Sequence, residues 1–253
     1  MAEHKQRVVL ITGGGSGLGQ AMASAFVKEE GAVVAIIGRD AEKLRRVAAE
    51  LEPHVFYYQA DVSQRQQVEA AVQAIVDKYG HIDVLINAAG FSGDGVTTEK
   101  SLLEAEQDWD CVQETNLKGS FLMTIAVAPH LPRPEGRIIY IGSIAASTGG
   151  SRAGSVVYAA TKAGLHGLTY GFARELSGQG ITVNTIAPGF IADTGFTGHW
   201  SEERVQGVVA QIPAGRAGQV EDVSAAALYL ASPRASFVTG QILNVNGGWL
   251  FGK

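Results

Sequence analysis

A chain of 253 residues with 46% hydrophobic content can bury a substantial core, and its length admits either one α/β domain or two small ones. A net charge of −5, with acidic and basic residues interspersed and a sequence pI near 5.7, excludes a basic nucleic-acid face and a polybasic membrane patch. The opening apolar run ends at Ile11, too short for a signal segment, no run approaches the ~20 residues of a membrane span, and Cys111 is the one cysteine. A cytoplasmic protein acting on a small molecule is expected, with no metal site.

In chain order, short runs rich in apolar and β-branched residues fall at 8–12, 33–37, 55–60, 84–88, 137–141, 182–187 and 242–245. Helical patterns alternate with them at 17–30, 40–51, 64–79, 107–131, 156–177, 201–210 and 220–231. Strands separated by helices, and nearly continuous in apolar residues, predict a doubly wound parallel sheet of seven strands with helices on both faces. No linker, repeat or low-complexity stretch interrupts the rhythm, so residues 1–253 are read as a single α/β domain. Two stretches break the pattern, 91–106 and 188–218, and both follow strands. Open parallel sheets bind ligands beyond the carboxyl ends of their strands, which makes both stretches candidate site walls and 188–218 a candidate substrate loop or lid.

The first strand runs into Thr12-Gly-Gly-Gly-Ser-Gly-Leu-Gly19 and then directly into an Ala-rich helical pattern. Glycines there let the backbone turn tightly and approach a pyrophosphate, which a helix N-terminus favours through its free N–H groups and dipole. Gly13, Ser16, Gly17, Leu18 and Gly19 are therefore candidate cofactor residues. The second strand ends at Gly38-Arg39-Asp40, where an acidic residue would bind the ribose of NAD. Gly38 leaves space there, and the guanidinium of Arg39 suits a 2′-phosphate, which argues for NADP(H) over NAD(H); a solvated loop charge is the alternative. Asp40 reads as the N-cap of the next helix. Asp61, followed by Val62, suits either the adenine amino group or another N-cap. Asn87-Ala88-Ala89-Gly90 ends the fourth strand with residues small enough for a ribose to approach, although a plain turn needs the same residues.

Tyr158 and Lys162 are four apart in the pattern at 156–177, so on a helix they lie one above the other. A phenol beside an ammonium is a tunable acid, because the cation favours the phenolate. Ser143 ends the apolar run 137–141 and its following glycine, and could hold a substrate oxygen with its hydroxyl.

With Thr12-Gly13, Gly17, Gly19, Asn87-Ala-Ala-Gly90, Asn116, Ser143, Tyr158, Lys162 and Pro188-Gly189 in order, the chain resembles the classical short-chain dehydrogenases/reductases over almost its whole length. The resemblance implies a Rossmann fold and hydride transfer between a nicotinamide and a carbonyl or secondary alcohol. It implies Tyr158 as acid/base, Lys162 lowering its pKa and binding the nicotinamide ribose, Ser143 orienting the carbonyl, and Asn116 supporting a water-linked proton relay. Pro188, Gly189, Ile191 and Thr194 would contact the nicotinamide end. The chain departs from the family pattern at Ala88, where a second Asn is usual, and at Thr194, which comes one place late behind Asp193. A nucleotide-sensing protein without turnover is the alternative from another class, disfavoured because all four catalytic positions are filled.

Phe91, Ala145, Thr148, Val156, Phe190, Phe196 and Trp200 are the candidate pocket lining, with loop packing as the alternative for each. Most are apolar, which favours a hydrophobic ketone or alcohol. The C-terminal half is most similar to the 3-oxoacyl-carrier-protein reductases. An acyl carrier protein would need a basic docking patch, for which Arg133, Arg152 and Arg174 are scattered candidates. The helices at 107–131 and 156–177 resemble those that pair between subunits in this family, so a homotetramer is expected.

Overall fold

The computed structural model describes residues 6–192, 194, 195, 197, 198 and 200–252. Seven strands form one parallel sheet: β1 (Val8–Thr12), β2 (Val33–Gly38), β3 (Val55–Gln59), β4 (Val84–Asn87), β5 (Arg137–Ile141), β6 (Thr182–Pro188) and β7 (Ile242–Val245). Their spatial order is β3-β2-β1-β4-β5-β6-β7. The chain winds outward from β1 to β3, then returns to place β4 on the other side of β1, with Thr12 beside Asn87. Loops leaving β1 and β4 diverge at this reversal and open a crevice at the carboxyl edge.

Alternation along each strand splits the core. Val8, Leu10, Leu85, Ile138 and Tyr140 face one layer of helices: α3 (Arg65–Tyr79), α5 (Gly119–Val127) and α7 (Val156–Leu176). Val9, Ile11, Ile86, Ile139 and Ile141 face the other: α1 (Gly17–Glu30), α2 (Ala41–Glu50) and α9 (Val220–Ala231). Each such aliphatic side chain removed from water stabilises by ~1.5–3 kcal/mol, which is why the central strands carry few polar residues.

The sequence pattern begins a helix at 107, but α4 spans Leu102–Gln113. Ser101 starts it early through a capping box, in which its hydroxyl accepts from Glu104 N and the Glu104 carboxylate accepts from Ser101 N. Leu102 and Leu103 remain 87% and 63% exposed, which hides this first turn from an apolar-periodicity reading. A π-helical turn, Glu114–Lys118, separates α4 from α5. Two further helices are short: α6 (Ala145–Thr148), absent from the sequence pattern, and α8 (Glu202–Val209).

The stretch after β6 has its own small apolar cluster, with Phe190, Val208 and Ile212 buried against Trp200, Val205, Val209 and Trp249. Its base is tied to the residues after β7: Gly189 N donates to Val245 O at 3.0 Å and Ala214 N to Gly247 O at 2.9 Å.

Candidate active site

At the end of β1, Thr12 bridges the crevice. Its hydroxyl oxygen accepts from both Ala88 N and Ala89 N at 3.0 Å, fixing the turn after β4 against the turn after β1. Sequence reasoning includes Thr12 only in the glycine pattern, since its partners lie 76 and 77 residues away. Gly19 is buried where a Cβ would come within 2.3 Å of Gly13 O, so the first turn of α1 rests directly on the glycine loop. Gly17 has φ +51, a left-handed conformation that L side chains rarely adopt. Ser16, the N-cap, is extended and makes no side-chain capping bond, and the first turn of α1 carries no acid. That end of α1 keeps N–H groups for an anion, and the residues fit a dinucleotide pyrophosphate. Leu18 packs its side chain on the core beneath.

Arg39 is exposed and makes no ion pair among the described residues. Asp40 caps α2 as expected, accepting from Lys43 N at 3.0 Å, a bond that holds its carboxyl below the usual range. Asp61 is not the cap of α3, whose N-cap is Gln64; its carboxylate instead accepts from Ser63 N at 2.9 Å in the preceding turn. Val62 is buried in the core. Asn87 is also buried, its amide nitrogen reaching Thr124 at 3.4 Å while its Oδ1 has no partner. Ala88 packs against the core at the position where the family pattern has a second Asn.

Beyond β5, Ser143 Oγ accepts from Ala145 N at 3.1 Å and is hydrogen bonded to the Tyr158 hydroxyl. Lys162 is 5% exposed, and its Nζ donates to Ile141 O at 2.7 Å, directly behind the serine turn. The ammonium lies 5.7 Å from the Tyr158 ring centroid. Burial pushes the Lys162 ammonium down to about 8, which leaves it protonated at neutral pH. Burial also pushes the Tyr158 phenol up, opposed by the Ser143 bond. The net direction at Tyr158 is upward, because loss of water outweighs the Ser143 bond.

Asn116 lies in the π turn and is fully buried. A π turn rotates one residue out of the helical register, and such turns recur at functional sites. Its Oδ1 accepts from Phe91 N at 3.0 Å, and its Nδ2 donates to Phe91 O at 2.9 Å and to Thr161 Oγ1 at 3.2 Å. The side chain expected to support a proton relay is thus wholly engaged with protein. A Cβ on Gly90 would meet Asn116 Oδ1 at 3.1 Å and Lys162 Nζ at 3.4 Å, so glycine is needed there for close approach.

The candidate pocket residues come from three segments of the chain. The Phe91 ring lies 6.0 Å from the Arg39 guanidinium, toward the nucleotide end. Phe190 and Trp200 stack at 5.2 Å within the small cluster, and the Arg204 guanidinium lies 3.5 Å above Trp200, so loop packing is the role their contacts show. Ala145 is buried beside Ser143, whereas Thr148 and Val156 are exposed. Phe196 and Asp193 lie outside the described residues. Ile191 and Thr194 are buried, and a Cβ on Gly17 would lie 3.9 Å from Thr194 Cβ, so the displaced threonine reaches the glycine turn. Pro188 closes β6, and Gly189 passes so close to Asn246 that a Cβ would come within 2.8 Å of its Cβ.

A doubly wound sheet with a glycine turn at its switch point and a Ser, Tyr and Lys beyond β5 defines a dinucleotide-dependent oxidoreductase. A family model described as enoyl-(acyl carrier protein) reductase matches residues 13–250. The 3-oxoacyl-[acyl-carrier-protein] reductase FabG of Thermotoga maritima is 38% identical over 245 residues, 96% of this chain and 97% of that protein. Nodulation protein G of Rhizobium sp. is 38% identical over 249 residues, 98% of each. The crystal structure of a tryptophan variant of actinorhodin polyketide ketoreductase with NADPH superposes with a TM-score of 0.88 at 35% identity, covering 98% of this chain and 99% of that one. The chain belongs to the short-chain dehydrogenase/reductase family.

Proposed function

We propose that this enzyme reduces a ketone or a 3-oxoacyl thioester with NADPH, Tyr158 acting as the proton donor. The observation that carries the reading is the Tyr158 hydroxyl bonded to Ser143 Oγ, with Lys162 Nζ anchored on Ile141 O behind them. Two hydroxyls meeting at one place suit a single developing oxyanion, and a proton donor so placed contributes ~10²- to 10⁴-fold in rate. The bound nicotinamide supplies the hydride. Ser143 orients the carbonyl oxygen, Tyr158 gives it a proton, and the buried ammonium of Lys162 steadies the phenolate left behind. A phenol held high by burial is protonated in its resting form, as a donor to a ketone oxygen must be.

The glycine turn, Thr194 and the backbones of Val62 and Asn87-Ala-Ala-Gly90 hold the dinucleotide, and Arg39 takes the 2′-phosphate. Residues 188–218 serve as the substrate lid. The polyketide ketoreductase relative carries NADPH and the Thermotoga relative is named for 3-oxoacyl carrier substrates, which supports both cofactor and substrate class. Cys111, exposed and unpaired, suits a reducing compartment such as the cytoplasm. Trp109, Leu117, Phe121 and Leu168 line an apolar groove beside Gly164 and Gly167 on α4, the π turn, α5 and α7, and a second copy of the chain covers it in a homotetramer.

A panel of acetoacetyl thioesters, aryl ketones, cyclic ketones and enoyl thioesters, each with NADPH and NADH, tests the reading. NADPH-driven reduction of ketones or 3-oxoacyl thioesters is expected, slower with NADH. Turnover confined to enoyl thioesters, a preference for NADH, or tight NADPH binding with no turnover at all would each overturn it.

A further inference from the structure

We propose that Thr161 is a positioning residue of this site, its hydroxyl holding the turn after β4 in register with the turn of α7 that carries Tyr158. The inference rests on the reading of Tyr158 as proton donor.

Thr161 is 0% exposed and lies between Tyr158 and Lys162 on α7. Its Oγ1 donates to the main-chain oxygen of Tyr158 at 2.8 Å and accepts from Asn116 Nδ2 at 3.2 Å. A hydroxyl has one proton. With that proton given to Tyr158, Thr161 presents only a lone pair to Asn116, and only the amide nitrogen can face it. The amide oxygen is then left for the N–H of Phe91, and the second amide N–H for the Phe91 carbonyl, which is the arrangement found. Donor matches acceptor at every step from Phe91 through Asn116 and Thr161 to Tyr158, across three separate segments.

The far end of the same stretch is tied as well. Val96 N donates to Gly154 O at 2.9 Å, and Val96 pairs with Ser155, the residue that leads into α7. Residues 91–96 are thus held at one end through Thr161 and at the other through the backbone before Tyr158. Just before this stretch, a Cβ on Gly90 would meet both Asn116 Oδ1 at 3.1 Å and Lys162 Nζ at 3.4 Å. The Asn116 amide and the Lys162 ammonium thus both lie beside the turn that Thr161 helps to hold.

An ordinary buried threonine on the same helix provides the contrast. Thr169 is also 0% exposed and donates to Leu165 O at 2.8 Å, but its lateral partner is Thr185 Oγ1 at 2.6 Å, in β6. It shares the burial and the helical back-bond without touching the site.

Thr161→Val keeps the shape and removes the hydroxyl; Thr161→Ser keeps the hydroxyl; Thr169→Val is the matched control. Misplacing a proton donor weakens the transition state more than ground-state binding, so Thr161→Val should lower kcat about tenfold or more with both KM values within about twofold. Thr161→Ser should recover most of that loss, and Thr169→Val should keep kcat. Hydrogen exchange measured by mass spectrometry should quicken over residues 90–96 in Thr161→Val alone. Wild-type kcat in Thr161→Val, or an equal loss in Thr169→Val, overturns the proposal. If the wild-type enzyme reduced no carbonyl, the proposed function would fall, and the exchange comparison would then decide whether the Thr161 link exists.

Discussion

Tyr158 and Lys162 illustrate how a residue's chemistry is set by what surrounds it. The phenol is high because it is buried, the ammonium is low for the same reason, and the Ser143 bond ties the pair to one point in the crevice. Tyr158→Phe keeps the ring and its packing and removes the one acidic proton at that point. We expect turnover to drop by ~10²- to 10⁴-fold while NADPH affinity stays within a few-fold, read by steady-state rates and by nucleotide fluorescence titration. Wild-type turnover in this variant would remove Tyr158 from the reaction. The Ser, Tyr and Lys are legible in the sequence because two lie on one helical turn and the third follows the end of a strand. The roles of Phe91 and Thr161 are not, because each depends on a partner distant in the chain: Phe91 is held by Asn116, 25 residues on, and Thr161 meets the same amide across 45. Residue type alone makes Phe91 a pocket lining, whereas its ring is directed toward Arg39.

Among the elements, strands and the longer helices are readable because burial on both faces imposes apolar runs and helices impose their own period. Irregular pieces escape for physical reasons. The π turn keeps an unbroken helical pattern on either side while moving Asn116 inward, and α4 begins on a capping box and two exposed leucines rather than on an apolar stripe. The start of α9 is similarly fixed by a side chain. Asp222 accepts from Gln219 N at 2.8 Å and takes both Arg216 nitrogens, at 2.7 and 2.9 Å, so the guanidinium holds its carboxyl down to about 2. A carboxyl depressed in the folded state stabilises above its unfolded value and loses that contribution as pH falls through the folded one. The full shift would correspond to ~2.5 kcal/mol, but the side chain is 34% exposed and solvent reduces this to about 1 kcal/mol. Asp222→Asn should therefore cost about 1 kcal/mol at pH 7, and the gap should close between about pH 4 and about pH 2 in urea titrations. A gap independent of pH would show that the carboxylate charge is not the cause.

For the whole molecule, seven strands alternating with helices are enough to anticipate a parallel sheet, and the glycine turn after β1 marks where its crevice opens. The proposed homotetramer, expected from resemblance and from the apolar end at 247–253, is supported by an exposed apolar surface. Trp109, Phe121 and Ile125 are 43%, 42% and 50% exposed on α4 and α5, and Tyr170 is 53% exposed on α7. Light scattering at micromolar concentration should report a tetramer, and Phe121→Glu, which places a charge in the groove, should reduce it to smaller species with the fold retained by circular dichroism. A monomeric wild-type protein would overturn the assembly. No helix among the described residues is long and apolar enough to cross a membrane.

The ties between the stretch after β6 and the residues after β7 give the order of synthesis a meaning. Ser143, Tyr158 and Lys162 are all translated before residue 163, yet Gly189 and Ala214 bond to Val245 and Gly247, and the cluster around Phe190 packs on Trp249. A nascent chain thus carries Ser143, Tyr158 and Lys162 well before the stretch after β6 can dock on the partners that tie its base.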